Sequence, residues 1–213
     1  MSNKLFSIEN DYYRLVTFSR IEKFISQLEL FKKTISVKGD IIEFGVYKGN
    51  SLIRLIAFNK IFSKYKKKIF AFDIFGKFPK GKNRADIAHR KKFVKSAGEN
   101  SINKKELNTI LIKKKFRNFE LIDGDVIKTI PVFLKKNIKI KVSFINLDLD
   151  LYEPSLVVLE KFYPKLSKKG IIMLDNFNQF YGETLAVKQF CKKKNIKIKN
   201  IKFKNKVIYY IQK

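Results

Sequence analysis

Apolar residues recur at three- and four-residue spacing through Leu15, Phe18, Ile21, Phe24, Ile25, Leu28 and Phe31, which predicts one amphipathic helix over about 12–35. The period then changes. Asp40-Ile41-Ile42-Glu43-Phe44-Gly45 is a nearly continuous apolar run ending on glycine, the signature of a short buried strand, and a helix is expected over 51–62. A second strand is predicted at 68–73, a third at 119–122, a fourth at 138–147 and a fifth at 170–174. Between the second and third lies a lysine-rich insertion, about 77–115, with expected helices at 86–97 and 104–115. Helices follow the third and fourth strands, the latter opening at Glu153-Pro154 with proline in its first turn. A further helix at 184–194 precedes a closing antiparallel pair at 196–203 and 207–211.

Alternating strands and helices predict an α/β fold: a mainly parallel, seven-stranded sheet with helices on both faces. No repeat, Gly/Ser linker or Pro-rich stretch divides the chain, so residues 1–213 read as a single domain with the insertion as a lid-like element. Sheets of this kind bind ligands at the carboxyl ends of their strands. Gly45, Gly49, Gly76, Gly124 and Gly182 are expected just beyond strand ends, and Asp73, Asp125, Asp148, Asp150 and Asp175 gather at the same edge.

Composition narrows the class. A chain of 213 residues, 45% hydrophobic, buries a full core without disulfides. The first ten residues are polar and include Glu9, unlike a signal peptide, and no apolar run approaches a bilayer span, so a cytoplasmic protein with no membrane partner is expected. Cys191, the single cysteine, reads as a half-buried structural thiol in a Lys-rich helix. The formal charge of +28 suggests a polyanion partner at first sight. Yet 41 of the 47 basic residues are lysines, scattered in short runs at the polar ends of predicted elements, and base or phosphate reading favours arginine. A solvated surface is the expectation, with nucleic acid disfavoured as the partner; a homo-oligomer is compatible with these features.

The loop Glu43-Phe44-Gly45-Val46-Tyr47-Lys48-Gly49-Asn50-Ser51 joins a strand to a helix, where glycines allow close backbone approach and the helix N-terminus welcomes a carboxylate. It lacks the Gly-x-Gly-x-x-Gly spacing of a dinucleotide site. Asp73 ends the second strand, a position from which a carboxylate accepts hydrogen bonds from ribose hydroxyls or caps a turn, and Asp125 after the third strand has the same two readings. The densest constellation is Asn146-Leu147-Asp148-Leu149-Asp150-Leu151-Tyr152-Glu153, with Asp175-Asn176 expected on the neighbouring strand. Two carboxylates and an amide oxygen are hard ligands suited to Mg²⁺, and a chelated hydroxyl would lose its proton more readily. The other reading is a set of turn aspartates. His89, the only histidine, reads as a helix-surface residue, with a proton-transfer role from the lid as the sharper alternative.

These segments, in order, resemble the macrocin O-methyltransferase (TylF-type) family, which methylates sugar hydroxyls in antibiotic and polysaccharide pathways. The resemblance runs from about Ile41 to Phe190 and rests on Glu43 to Gly49, Phe72-Asp73-Ile74-Phe75-Gly76-Lys77-Phe78-Pro79, Gly124-Asp125-Val126, Leu147-Asp148-Leu149-Asp150-Leu151-Tyr152-Glu153 and Asp175-Asn176-Phe177. It implies a Rossmann-like class I methyltransferase fold, S-adenosylmethionine as cofactor, and Mg²⁺ on Asp148, Asp175 and Asn176, with Asp150 as general base. The implied cofactor set is Glu43, Gly45, Tyr47, Gly49, Ser51, Asp73, Asp125 and Asp148. One departure is visible: the family generally shows Asp-Asp where this chain has Asp175-Asn176. An Asp, Asp, Asn set is similar to that of catechol O-methyltransferases, so the resemblance implies that metal binding survives the change while the acceptor is opened: a sugar hydroxyl leads, with a catechol or a nucleic acid as alternatives.

Overall fold

The computed structural model describes residues 3–81 and 84–213; Met1 and Ser2, and Lys82 and Asn83 of the insertion, lie outside the described residues. The chain runs α1 (Asn3–Leu15), α2 (Phe18–Lys32), β1 (Asp40–Phe44), α3 (Asn50–Phe62), β2 (Ile69–Asp73), α4 (Arg84–Ala97), α5 (Lys104–Lys113) and β3 (Phe119–Asp123). It continues through α6 (Val126–Lys136), β4 (Val142–Leu147), α7 (Tyr152–Phe162), β5 (Leu166–Leu174), α8 (Tyr181–Lys194), β6 (Lys199–Lys202) and β7 (Val207–Gln212). The strands form one seven-stranded sheet ordered β3-β2-β1-β4-β5-β7-β6. Neighbours from β3 to β5 are parallel, and β7 is antiparallel to both β5 and β6, so β7 alone runs against the rest. The sheet is therefore mixed, with the order reversing between β1 and β4.

Period-two alternation explains the two helical layers. Ile42 and Phe44 of β1, Phe70 and Phe72 of β2, and Ile145 and Leu147 of β4 face Ile130, Phe133, Leu159, Phe162, Val187 and Phe190 of α6, α7 and α8. Ile41, Ile69, Ala71, Phe144 and Met173 point the other way, against Leu30 and Phe31 of α2, Leu52 and Leu55 of α3, and Leu107 and Leu111 of α5. The insertion is thereby divided, since α5 belongs to the second layer while α4 borders the cleft described below. At the amino edge of the sheet, buried Lys67 donates from Nζ to Thr34 O (2.7 Å) and Ser143 Oγ (3.0 Å), and burial draws its pKa down to about 8. Among the described residues, no helix is long and apolar enough to cross a membrane.

Several expected elements differ in detail. The single helix over 12–35 is two helices broken at Val16-Thr17, where adjacent β-branched residues favour extended backbone and Thr17 takes the cap position (φ −83°, ψ 152°). Leu15 and Phe18, both counted in the apolar stripe, are consequently exposed. β4 starts at Val142, four residues late, because a turn from Asn137 to Ile140 intervenes and leaves Ile138 in solvent. β5 starts earlier than its apolar run, since Lys168 and Lys169 remain exposed within the strand. Gly182 is not beyond a strand end; it lies in the first turn of α8 against the backbone of Tyr152.

Gly45 (φ +89°) and Gly98 (φ +87°) share a left-handed backbone but not surroundings. A Cβ on Gly45 would collide with the carbonyl oxygen of Asp148, whereas one on Gly98 meets nothing within 4 Å. Gly45→Ala should therefore cost about 2 to 4 kcal/mol in urea unfolding, strain plus overpacking. Gly98→Ala should cost only the backbone part, about 1 to 2 kcal/mol.

Candidate active site

The sheet ladder continues one residue past its central strands. Gly45 N–H donates to Phe72 O (2.9 Å), Asp148 N–H to Phe44 O (2.9 Å) and Asp175 N–H to Leu147 O (3.0 Å). Since Phe44 pairs with Leu147 and Leu147 with Leu174, Gly45, Asp148 and Asp175 emerge at one level of the carboxyl edge. The loops beyond β1, β2 and β4 each hold a non-glycine residue at positive φ: Tyr47 (50°), Phe75 (48°) and Asp150 (64°). Such conformations persist only where their surroundings enforce them, and they gather at functional sites.

A cleft of about 760 Å³ opens over this edge, a size usual for small-molecule sites. Of the expected residues, Gly45, Tyr47, Asp73, Asp125, Asp148, Asp150, Asp175 and Asn176 line it. Glu43, Gly49 and Ser51 do not. Glu43 is fully buried within the sheet, accepting from Asn146 Nδ2 (3.0 Å); burial pushes its pKa up to about 7, against hydrogen bonds from Ser51 and Asn146. Gly49 caps α3 with its Cα side against Leu107. Asp73 organises the first turn: its Oδ2 accepts from Val46 N–H (2.7 Å) and Tyr47 N–H (3.0 Å), and its Oδ1 from Phe75 N–H (2.7 Å). Asp125 caps α6, accepting from Ile127 N–H (2.9 Å). Each of these two aspartates thus holds a turn, and each lines the cleft.

Asp148 and Asp150 come together through a turn, not through strand alternation, because β4 has already ended at Leu147. Asn176 Nδ2 bridges them, 2.6 Å from Oδ1 of each. Behind them stands Glu183 of α8, fully buried. Its Oε2 accepts from Leu149 N–H (3.3 Å) and Asp150 N–H (3.4 Å), and its Oε1 from Asn176 N–H (3.1 Å), so one carboxylate ties both acidic loops together. In front is Lys23 of α2, whose Nζ is 2.5 Å from Asp175 Oδ2 and 3.9 Å from Asp148 Oδ2. The β6–β7 turn holds α2 there: Asn205 donates from its backbone N–H (3.1 Å) and Nδ2 (3.0 Å) to Glu22 Oε1.

Charge follows from this packing. Burial and the Asp175 carboxylate push Asp150 up to about 7, and the same two causes hold Asp148 well above the usual range. Burial also pushes Asp175 upward, but Lys23 outweighs it by charge and hydrogen bonding, so Asp175 falls below its ordinary value and is ionised. Burial opposes the Lys23 charge, yet Asp175 and Asp148 together keep its ammonium protonated beyond the usual lysine range. Glu183 rises to about 8 through burial and then Asp150.

Asp175 Oδ1 is buried without a hydrogen-bond partner, and with Asp148 it offers oxygen donors of the kind a hard divalent cation takes, whereas Asn176 turns its Nδ2 toward Asp148. The donor set fits with the Asn176 amide turned over. Lys23 competes for the same carboxylates, and no cluster of three His, Cys, Asp or Glu side chains has metal-binding geometry among the described residues. Gly45, whose lack of a side chain keeps the first turn against Asp148, and the width of the cleft likewise fit a cofactor as large as S-adenosylmethionine.

Elsewhere, His89 packs edge-on against Phe180 (3.7 Å between centroids), and its pKa is lowered by burial. Cys191 is fully rather than half buried, and burial lifts its thiol to about 11. Lys23 and Glu183 escaped the sequence reading, as did Arg20 and Lys206, which line the cleft. A site lysine has no signature among 41 lysines, whereas an acid one residue into the run Gly182-Glu183-Thr184-Leu185-Ala186-Val187 was a usable signal in an acid-poor chain.

Lys23→Met should leave Asp175 buried and unmatched, lowering stability at neutral pH by about 2 to 4 kcal/mol. The deficit should shrink on acidification. Wild type loses the stability of a depressed Asp175 as pH falls below about 4, while the variant gains as its raised carboxyl takes up a proton. Urea unfolding of both proteins as a function of pH measures this.

The profile of the macrocin O-methyltransferase (TylF) family matches residues 12–212. Demethyldecarbamoylnovobiocin O-methyltransferase of Streptomyces niveus is 24% identical over 152 residues, 67% of this chain and 54% of that protein, so the chain spans about half the length of this curated relative. The crystal structure of CalS11, a calicheamicin methyltransferase, superimposes with a TM-score of 0.79 at 22% identity, covering 98% of this chain and 85% of that one. Apo CalS11, a TDP-rhamnose 3′-O-methyltransferase, gives 0.70 at 22% identity over 100% and 86% of the two chains. The O-methyltransferase NovP gives 0.73 at 19% identity over 87% and 78%. These structures share the class I methyltransferase fold, and by its match over 12–212 the chain belongs to the macrocin O-methyltransferase (TylF) family.

Proposed function

We propose that this chain is an S-adenosylmethionine-dependent O-methyltransferase acting on a sugar hydroxyl, with nucleotide-linked sugars among its acceptors. The observation that carries the reading is Asp150, a buried carboxyl with a pKa raised to about 7, standing in a cleft with Gly45, Asp73 and Asp148 at the carboxyl edge of a methyltransferase sheet. A base near neutrality is matched to removing a hydroxyl proton at physiological pH. The TDP-rhamnose 3′-O-methyltransferase among the similar structures supports a sugar as the acceptor, and the demethyldecarbamoylnovobiocin O-methyltransferase supports a hydroxyl of a small molecule.

In this reading the methionine end of the cofactor lies by the Gly45 turn, and its ribose is held by Asp73. Glu43 and Ser51 support the turn from behind, Tyr47 and Asp125 flank the cleft, and Gly49 lets the chain enter α3. Asp150 keeps Oδ1 on the Asn176 amide, leaving its other oxygen to accept the acceptor proton. Glu183 fixes that loop through backbone N–H groups. Asp148, Asp175 and Asn176 would hold Mg²⁺, which when bound supplies Lewis acidity that lowers the pKa of the acceptor hydroxyl.

Asp73→Ala should weaken S-adenosylmethionine binding, measured by calorimetry, by about 1 to 3 kcal/mol, the scale for losing a hydrogen bond to a charged group. Unchanged affinity would remove Asp73 from the cofactor site.

Methyl transfer from labelled S-adenosylmethionine to a panel of nucleotide sugars, deoxy sugars, catechols and RNA should occur on a sugar. The rate should rise with pH through about 7, where Asp150 loses its proton. Asp150→Asn should lose about 10²- to 10⁴-fold in turnover together with that pH limb, while cofactor binding persists. EDTA should abolish transfer and Mg²⁺ restore it, with Asp175→Ala matching chelated wild type; full activity in EDTA overturns the metal assignment alone.

A further inference from the structure

One wall of the cleft is cationic beyond the needs of its acids. Arg20 and Lys23 of α2 and Lys206 of the β6–β7 turn all line it, and the Asn205 clasp on Glu22 holds the two segments together. Lys23 matches the ionised carboxylate, Asp175. Arg20 and Lys206 are then in surplus, since neither side chain has a hydrogen bond or ion pair among the described residues. Burial lowers the pKa of Lys206, and the charges of Lys23 and Arg20 lower it further against the pull of Asp175. Cations so placed repel one another, and a bound anion relieves them.

The charge of the whole chain does not account for this wall. Lysines on a +28 surface are ordinarily solvated, but Arg20 is one of only six arginines, and Arg14, Arg54, Arg90 and Arg117 each have a side-chain partner. The planar fork of an arginine takes two oxygens of a phosphoryl or carboxylate group at once, and a neighbouring ammonium adds a point charge.

Place in the sheet separates this wall from the cofactor. In the order β3-β2-β1-β4-β5-β7-β6, the residues assigned to S-adenosylmethionine, Gly45, Asp73 and Asp125, lie at the ends of β1, β2 and β3, whereas Lys206 precedes β7 on the far side of β5. Asp150 follows β4, between the two. We propose that Arg20 and Lys206 read an anionic group on the acceptor, a phosphoryl or a carboxylate, so that the enzyme selects charged sugars over neutral glycosides. This rests on the sugar O-methyltransferase reading and adds the residues that choose among sugars.

Calorimetry in EDTA, with S-adenosylhomocysteine saturating the cofactor site, removes metal bridging and the cofactor's own carboxylate position from the measurement. Thymidine diphosphate and glucuronate are the probes, and binding of the first assigns a phosphoryl group, of the second a carboxylate. Arg20→Ala and Lys206→Ala should each weaken the bound probe by about ten- to a hundredfold, the scale of a charge-assisted hydrogen bond. Lys206→Arg should recover most of that loss, and Lys139→Ala, at an exposed lysine remote from the cleft, should change nothing. S-adenosylhomocysteine affinity should persist in every variant, which also reports an intact fold. Failure of both probes to bind, an equal loss in Lys139→Ala, or loss of S-adenosylhomocysteine affinity in Arg20→Ala would each overturn the assignment. A protein that binds a probe in the expected pattern yet methylates no sugar keeps the anion site and loses the proposed function; one that methylates neutral glycosides and binds neither probe does the reverse.

Discussion

Four carboxyl groups, Asp148, Asp150, Asp175 and Glu183, are crowded at the carboxyl edge of the sheet, and their mutual repulsion is the constraint around which the rest is arranged. Three of them answer it by holding protons more tightly than usual. The fourth, Asp175, stays ionised because Lys23 is set against it. A buried charge without a partner is so costly that the position of Lys23 is not optional, and with Lys23 comes the whole of α2 as a wall of the cleft. The same logic accounts for Asn176 and for the backbone N–H groups turned toward Glu183. Each is a hydrogen-bond donor in a region oversupplied with acceptors.

Such an arrangement is poised between two ways of being neutral. With protons on Asp148 and Asp150 and an ammonium on Asp175, the cluster is balanced from within. In the proposed function a divalent cation would satisfy the same carboxylates by another route, and the unpartnered Asp175 Oδ1 is the atom that the internal solution leaves unserved. The two solutions would share ligands, so each would weaken the other.

The strands and their order of use were legible in the sequence because buried parallel strands are written in continuous apolar runs, as in Ile41 to Phe44 and Phe144 to Leu147. The carboxyl-edge residues were legible because acids are scarce here and five of the aspartates follow those runs. What escaped was set by contacts distant in sequence. Lys23 and Glu183 act through partners 152 and 33 positions away, which no local period reveals. The break at Val16-Thr17 was hidden for the opposite reason, since the apolar spacing runs on smoothly through two helices, one of them packed on the sheet and the other bare.

The clasp between Asn205 and Glu22 joins positions 183 residues apart. A wall of the cleft is thus built from segments far apart in the order of synthesis. Parallel strands β1 to β5 and their helices can collapse as they are synthesised, with α2 packed through Leu30 and Phe31, but its Glu22 end gains the Asn205 clasp only when the β6–β7 turn has emerged. Closing so long a loop is entropically slow, which orders assembly so that the acidic edge forms before its cover does. A nascent chain at that stage displays its carboxyl cluster to solvent, where water and counter-ions stand in for the lysine.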